Sequence, residues 1–246
     1  AFDGGAIRYF VTDDRGMYRA SLLPPGDYTV AVPATVSTFP VDVMRDAMTS
    51  RIDLGVNETS PLGSFKNLQI GDQILTTMSQ APIPPARDGS PVSVYETTYY
   101  PNATTVDQAT FMSLAPGENR ASVNIQLIAK PTVRLSGQLL GPDGPLPLTP
   151  FRLNRAGGTY ATEYPGLEAA SGVTDARGQF VLLGVPRGSY ILRAEVSRPA
   201  VTPGARPTRM SGEHALTIGG ADVADVVVNV RPGATVSGHV EVRGNQ

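Results

Sequence analysis

Apolar residues in this chain alternate with polar ones over short stretches and seldom recur at helical spacing. Tyr28, Val30 and Val32 fall on one side of an extended segment, and Tyr190, Leu192 and Ala194 do the same. This period of two is the signature of a half-buried strand. The alternation returns in Val123-Asn124-Ile125-Gln126-Leu127, in the run from Val226 to Val230, and near the end, where Val236, Val240 and Val242 have polar neighbours. Strand-like pieces also lie between Leu68 and Met78. The stretch that follows, Ala81-Pro82-Ile83-Pro84-Pro85, cannot be a central strand, because proline donates no ladder hydrogen bond. No long amphipathic helix is expected, so the pattern predicts an all-β fold.

An internal repeat organises the strands. Val11-Thr12-Asp13-Asp14-Arg15-Gly16-Met17-Tyr18, continuing to Pro24, Gly26 and Tyr28, matches Val173-Thr174-Asp175-Ala176-Arg177-Gly178-Gln179-Phe180, continuing to Pro186, Gly188 and Tyr190. The register is a constant 162 residues without a gap, and eight of eighteen positions are identical. Each copy reads as strand, tight turn, strand, Pro-Gly turn, strand. The Asp side chain accepts from nearby backbone N–H groups and the Gly takes positive φ. A second repeat, at a spacing of 101, relates Leu127 to Val228, Pro131 to Pro232, and Leu135-Ser136-Gly137 to Val236-Ser237-Gly238. Both copies lead from a closing strand through a proline into an opening strand.

The prolines therefore mark module boundaries, and the expected fold class is two tandem β-sandwich modules. Residues 131–231 form one complete module, with many short strands between turns. Residues 1–130 form an incomplete one carrying an insertion at about 33–98, either a decoration of the sandwich or a binding surface. Residues 232–246 are the opening strand of a following module or a donor strand.

Composition narrows the function. Twenty Lys+Arg against 22 Asp+Glu leave a formal net charge of -2 with no basic run, which argues against nucleic acid or an anionic membrane surface as partner. The absence of cysteine excludes thiol catalysis, disulfides and thiolate metal sites. No apolar stretch approaches the ~20 residues that span a bilayer.

The Ser-Gly opening strand, the Thr-Asp-x-x-Gly-x-Phe/Tyr turn and the Pro-x-Gly-x-Tyr turn resemble the carboxypeptidase regulatory-like family, a transthyretin-like or prealbumin-like β-sandwich. Residues 131–231 match across the module and residues 7–32 match its latter half. Thr98-Tyr99-Tyr100-Pro101-Asn102, followed by Leu114-Ala115-Pro116-Gly117-Glu118, resembles linking segments in large secreted bacterial proteins with tandem modules of this kind. The resemblance implies a non-catalytic accessory or adhesive module, extracellular or at a bacterial surface. Related bacterial sandwiches carry Lys-Asn isopeptide crosslinks; Lys66 and Lys130 are the only lysines, and their loop and boundary positions fit solvated side chains.

Catalytic and metal chemistry find little material. The only histidines, His214 and His239, fall on different strands of different modules, and no His-x-x-Glu spacing exists. Asp13, Asp14 and Asp175 lack calcium-loop spacing and sit where a hairpin needs them. There is no Gly-x-Ser-x-Gly elbow and no phosphate loop, so an enzyme is not expected, nor any cofactor. Asn57-Glu58-Thr59 and Asn102-Ala103-Thr104 fit the glycosylation triplet. Tyr95, Tyr99 and Tyr100 either stack on a sugar ring as a ligand surface or pack a sheet face.

The informative anomaly is at the two ends. In the second module the Ser-Gly strand at Ser136 precedes the hairpin at Val173, whereas the first hairpin begins at Val11 with almost nothing before it. At the other end, Thr235, Val236, Ser237, His239, Val240 and Val242 form an opening strand with no module after it. Burying its three valines would contribute about 5–8 kcal/mol before ordering costs. Two readings follow. In one, the C-terminal strand of one subunit completes the first sandwich of the next, a heterologous contact that propagates into a filament or closes as a ring. In the other, the chain is an accessory module, binding carbohydrate or peptide, excised from a longer tandem chain whose neighbouring modules provide the missing parts.

Overall fold

The computed structural model describes residues 8–50, 67–77, 83–84, 92–157, 166–198, 207–234 and 236–241. In chain order the first half gives β1 (Gly26–Tyr28), β2 (Ala31–Val32), β3 (Val36–Pro40), α1 (Val41–Ser50), β4 (Asn67–Ile70), β5 (Gln73–Thr77), β6 (Ser93–Val94), β7 (Thr98–Tyr99) and β8 (Met112–Leu114). The second half gives β9 (Lys130–Gly141), β10 (Gly144–Pro145), β11 (Pro150–Arg155), β12 (Ala170–Val173), β13 (Gln179–Pro186), β14 (Gly188–Arg198), β15 (Thr208–Ile218), β16 (Val223–Asn229) and β17 (Arg231–Pro232). The described chain is thus all-β but for α1 and a single 3-10 turn at Val106–Gln108.

The sandwich is built around β9. This strand pairs antiparallel with β13 on one side, placing Phe180 opposite Gly137, and parallel with β16 on the other, placing Val226 opposite the same Gly137. The facing sheet runs β17-β15-β14-β11-β12-β3-β5-β4. Alternation delivers Leu135 and Leu139, Phe180 and Leu182, and Tyr190, Leu192 and Ala194 between the sheets, all nearly inaccessible. Full burial of each large apolar side chain contributes roughly 1.5–3 kcal/mol. The Phe151 and Phe180 rings meet with centroids 4.8 Å apart, tilted by 49°. β13 keeps its inward face across a bulge between Leu182 and Val185, where Gly184 takes φ 74.

Within residues 33–98, the strands β3, β4 and β5 lie in the same sheet as β11, β12, β14 and β15. β3 pairs in parallel with β12, which would otherwise be an open edge, and the hairpin β4-β5 continues the sheet beyond it. Both faces of β3 are covered. On the core side Val36 joins the main cluster and the Thr38 hydroxyl accepts the Leu183 N–H at 3.0 Å. On the other side the Ser37 and Ser171 hydroxyls bond at 2.7 Å, and Phe39 packs with Val43 and Met44 of α1 and with Val173. The helix begins where Asp42 accepts the Val43 N–H at 2.9 Å, its carboxylate favourable at the positive end of the helix dipole.

The first module expected from the repeats is more sparsely paired among the described residues. β1 pairs with β8 and β2 with β7, each as a two-stranded ribbon. Its remaining parts are extended segments around the first copy of the repeated turn.

Candidate functional site: an open first module

The repeated turn is one structure made twice. Asp13 Oδ1 accepts the N–H groups of Arg15 at 3.0 Å and Met17 at 2.8 Å. Asp175 Oδ1 accepts those of Arg177 and Gln179, both at 2.8 Å. Gly16 and Gly178 take φ 75 and 72, the left-handed region that a Cβ disfavours. Downstream, the Tyr28 hydroxyl donates to the Pro24 carbonyl at 2.6 Å, and the Tyr190 hydroxyl donates to Pro186 at 2.8 Å. The positive φ of Gly184 also recurs: Leu22, its counterpart, sits at φ 59 although it is not glycine.

What surrounds the two copies differs. Tyr190 and Phe180 are 1% and 2% exposed, whereas Tyr28 and Tyr18 are half-exposed; Val173 is buried and Val11 is 58% exposed. The cause is β9. In the second module β9 fills the space between β13 and β16, and it fits so closely that a Cβ on Gly137 would lie 2.0 Å from the Val226 carbonyl oxygen and 2.8 Å from Phe180 Cζ. The repeats map β13 onto residues 17–24 and β16 onto residues 122–128. Among the described residues these segments are in no sheet ladder.

Val123, Ile125 and Leu127 are half-buried and alternate with exposed Asn124, Gln126 and Ile128, a strand pattern without a strand partner. The Tyr18 hydroxyl reaches across to donate to the Val123 carbonyl at 2.7 Å. Burial, reinforced by the neighbouring Tyr100 phenol, raises the Tyr18 pKa above the usual tyrosine range. By the two repeats these segments correspond to β13 and β16, the walls of the slot that β9 fills in the second module.

The C-terminal segment presents the complementary feature. Arg231–Pro232 pairs with β15 and the Gly233 N–H bonds to the Arg209 carbonyl at 3.1 Å, after which the chain is no longer in a ladder. Val236, Ser237, His239 and Val240 are all exposed, the valines by 96% and 86%; Thr235 and Val242 lie outside the described residues. A Cβ on Gly238, the counterpart of Gly137, would meet nothing within 4 Å. Among the described residues eleven large apolar side chains stand exposed. Seven belong to residues 8–128 and two to this segment, against only Leu148 and Val227 in the complete module. Of the seven, Met17, Leu22 and Ile128 fall within residues 17–24 and 122–128, while Tyr18, Ile125 and Leu127, the counterparts of core-facing residues, are half-buried.

The other sequence candidates occupy different surroundings. Tyr99 is buried at 5% with Ala103 and Val106, and Tyr95 and Tyr100 are half-buried. Burial, then the Asp107 charge, raises the Tyr99 pKa. Tyr95 and Tyr99 border a shallow depression shared with Arg155, whose guanidinium pairs with Glu96 and lies 5.1 Å from the Tyr190 ring centroid. That pair ties the segment after β6 to the second module. His214 is half-buried on β15 opposite Leu192, far along the chain from His239 in the exposed tail. Among the described residues no three His, Asp or Glu side chains cluster as a metal site would require. Asn102 and Lys130 are exposed; Asn57 and Lys66 lie outside the described residues. No described helix is long and apolar enough to cross a membrane.

No protein-family model matches the chain, and no curated protein matches it. Among solved structures, a candidate carbohydrate-binding protein of Pseudomonas aeruginosa aligns at 17% identity over 39% of this chain and 87% of its own, with a TM-score of 0.31. A minor pilin of Streptococcus agalactiae aligns at 16% identity over 68% of each chain, with a TM-score of 0.29. A group B streptococcus pilus 2b backbone protein aligns at 11% over 87% and 88%, also at 0.29. The all-β class rests on the chain's own strand pairing rather than on these superpositions.

The strand at 235–242 is legible in the sequence by itself, and the groove is not. Tyr18, Ile125 and Leu127 were findable: applying both repeat spacings to the neighbours of the Ser-Gly strand leads directly to them.

Proposed function

We propose that this chain is a non-enzymatic structural protein of an extracellular bacterial assembly, in which modules join head to tail by strand addition. In this reading it belongs with the carboxypeptidase regulatory-like sandwiches that its motifs resemble. The observation that carries the reading is the pairing of two deficits. The first module repeats the turn of the second hydrogen bond for hydrogen bond but leaves the counterparts of its buried face only half-buried, and the tail holds an exposed copy of the strand that closes the second. Main-chain pairing gives such an addition its affinity, and alternate side chains give it specificity. Because donor and acceptor are different surfaces, the contact propagates.

Ligand binding through Tyr95, Tyr99 and Tyr100 is the weaker reading, since a buried Tyr99 offers little ring face to a sugar. Deleting residues 234–246 tests the proposal. Short soluble species on electron micrographs are the expected result, and unaltered filament length contradicts it. A native polypeptide much heavier than 25.9 kDa would place the donor strand in the same chain.

A further inference from the structure

Resting on that reading, we infer the register and the occupant of the slot: residues 236–241 of a second copy lie between residues 17–24 and 122–128, with Gly238 opposite both Tyr18 and Ile125. The second module supplies the template. There the opening strand pairs Val181 with Ser136, Phe180 with Gly137, Val226 with Gly137 and Val228 with Leu139. Transferred through the two repeats, these become Arg19 with Ser237, Tyr18 with Gly238, Ile125 with Gly238 and Leu127 with Val240.

The side chains agree with the transfer on the inward face, while on the other face Arg19 takes the place of Val181. Tyr18 keeps the aromatic ring of Phe180, and its hydroxyl already points at the opposite wall, on the Val123 carbonyl. Gly238 keeps the missing Cβ, which in the template is required because the Val226 carbonyl and the Phe180 ring leave no room for one. Nothing around Gly238 in the free chain requires a glycine there. A glycine that is unneeded in the free subunit and needed in the docked one identifies the docked position. Val236 and Val240 take the inward places of Leu135 and Leu139, both fully buried in the template. A one-residue slip would turn these valines outward, so the register is fixed by the pleat.

Two experiments on the 246-residue chain test this. Gly238→Val should leave the melting temperature of the isolated subunit unchanged, because the position is open, while weakening assembly roughly ten- to hundredfold by the clash it introduces in the slot. Unchanged assembly overturns the placement of Gly238. The absence of native cysteine makes the second test clean. Under mild oxidation Arg19→Cys with Ser237→Cys should give covalent dimers and higher ladders, whereas Arg19→Cys with His239→Cys, a two-residue slip on the same face, should give few. Ladders from the slipped pair alone overturn the register and leave strand addition standing. Internally closed monomers overturn the second copy as occupant. The absence of any crosslink, together with unchanged size of the Gly238→Val assembly, overturns strand addition as well.

Discussion

Residues 11–28 and 173–190 make the same turn with the same donors and acceptors, and one lies in a closed sandwich while the other stands open. The difference separates two layers of folding. The Asp-x-Arg-Gly turn and the Tyr-to-Pro carbonyl bond are local, and they form wherever the sequence is present. Burial of the strands that flank the turn is not local. For β13 it depends on β9, which arrives from about forty residues upstream and has no described counterpart beside residues 17–24, and for β12 it depends on β3 and α1. Without a described counterpart of β9 the first turn keeps its hydrogen bonds while Tyr18 and Tyr28 stay half-exposed.

This contrast can be tested with matched substitutions in the two copies. The largest expected difference is between Phe180→Ala and Tyr18→Ala. The first removes a ring packed against Phe151 and over Gly137 and should cost about 3–5 kcal/mol. The second removes a half-exposed ring and should cost no more than about 1 kcal/mol in the isolated chain. Urea melts of dilute protein read both, and equal losses would mean that the first module is already closed. A smaller difference is expected between Gly178→Ala and Gly16→Ala. Each forces a Cβ into the left-handed region at about 1 kcal/mol or somewhat more. Only at Gly178 does that Cβ also meet the Leu146 amide at 2.8 Å and Pro145 at 2.9 Å, adding about another 1 kcal/mol.

Much of this architecture was legible in the sequence, for reasons that follow the same division. The turns were readable because Asp, Gly and Pro act through their own backbone. The strands of the complete module were readable because each buries one face and so alternates. The segment between Leu68 and Met78 appears as the hairpin β4-β5. The placement of that hairpin was not readable, because β3 joins β12 in parallel across more than a hundred residues and nothing local encodes such a partner. Nor does Val36-Ser37-Thr38-Phe39 look like an interior strand. Its polar residues are buried because hydroxyls at Ser37 and Thr38 find partners in Ser171 and the Leu183 amide. The helix α1 is not legible in the sequence because it is only ten residues long and turns only a few apolar side chains onto Phe39. The acceptor groove was one step further away. It appears only when the two repeats are superimposed on a known set of strand neighbours.

The central claim is that residues 17–24 and 122–128 await a strand, and hydrogen exchange reads it most directly. In dilute chain the amides of 18–24 and 122–128 should exchange orders of magnitude faster than those of 135–139 and 180–185, which lie in a ladder. Adding an excess of a synthetic peptide of residues 232–246 should slow the first set and leave the second unchanged. Equal protection of both regions without the peptide, or no change on adding it, would contradict the account.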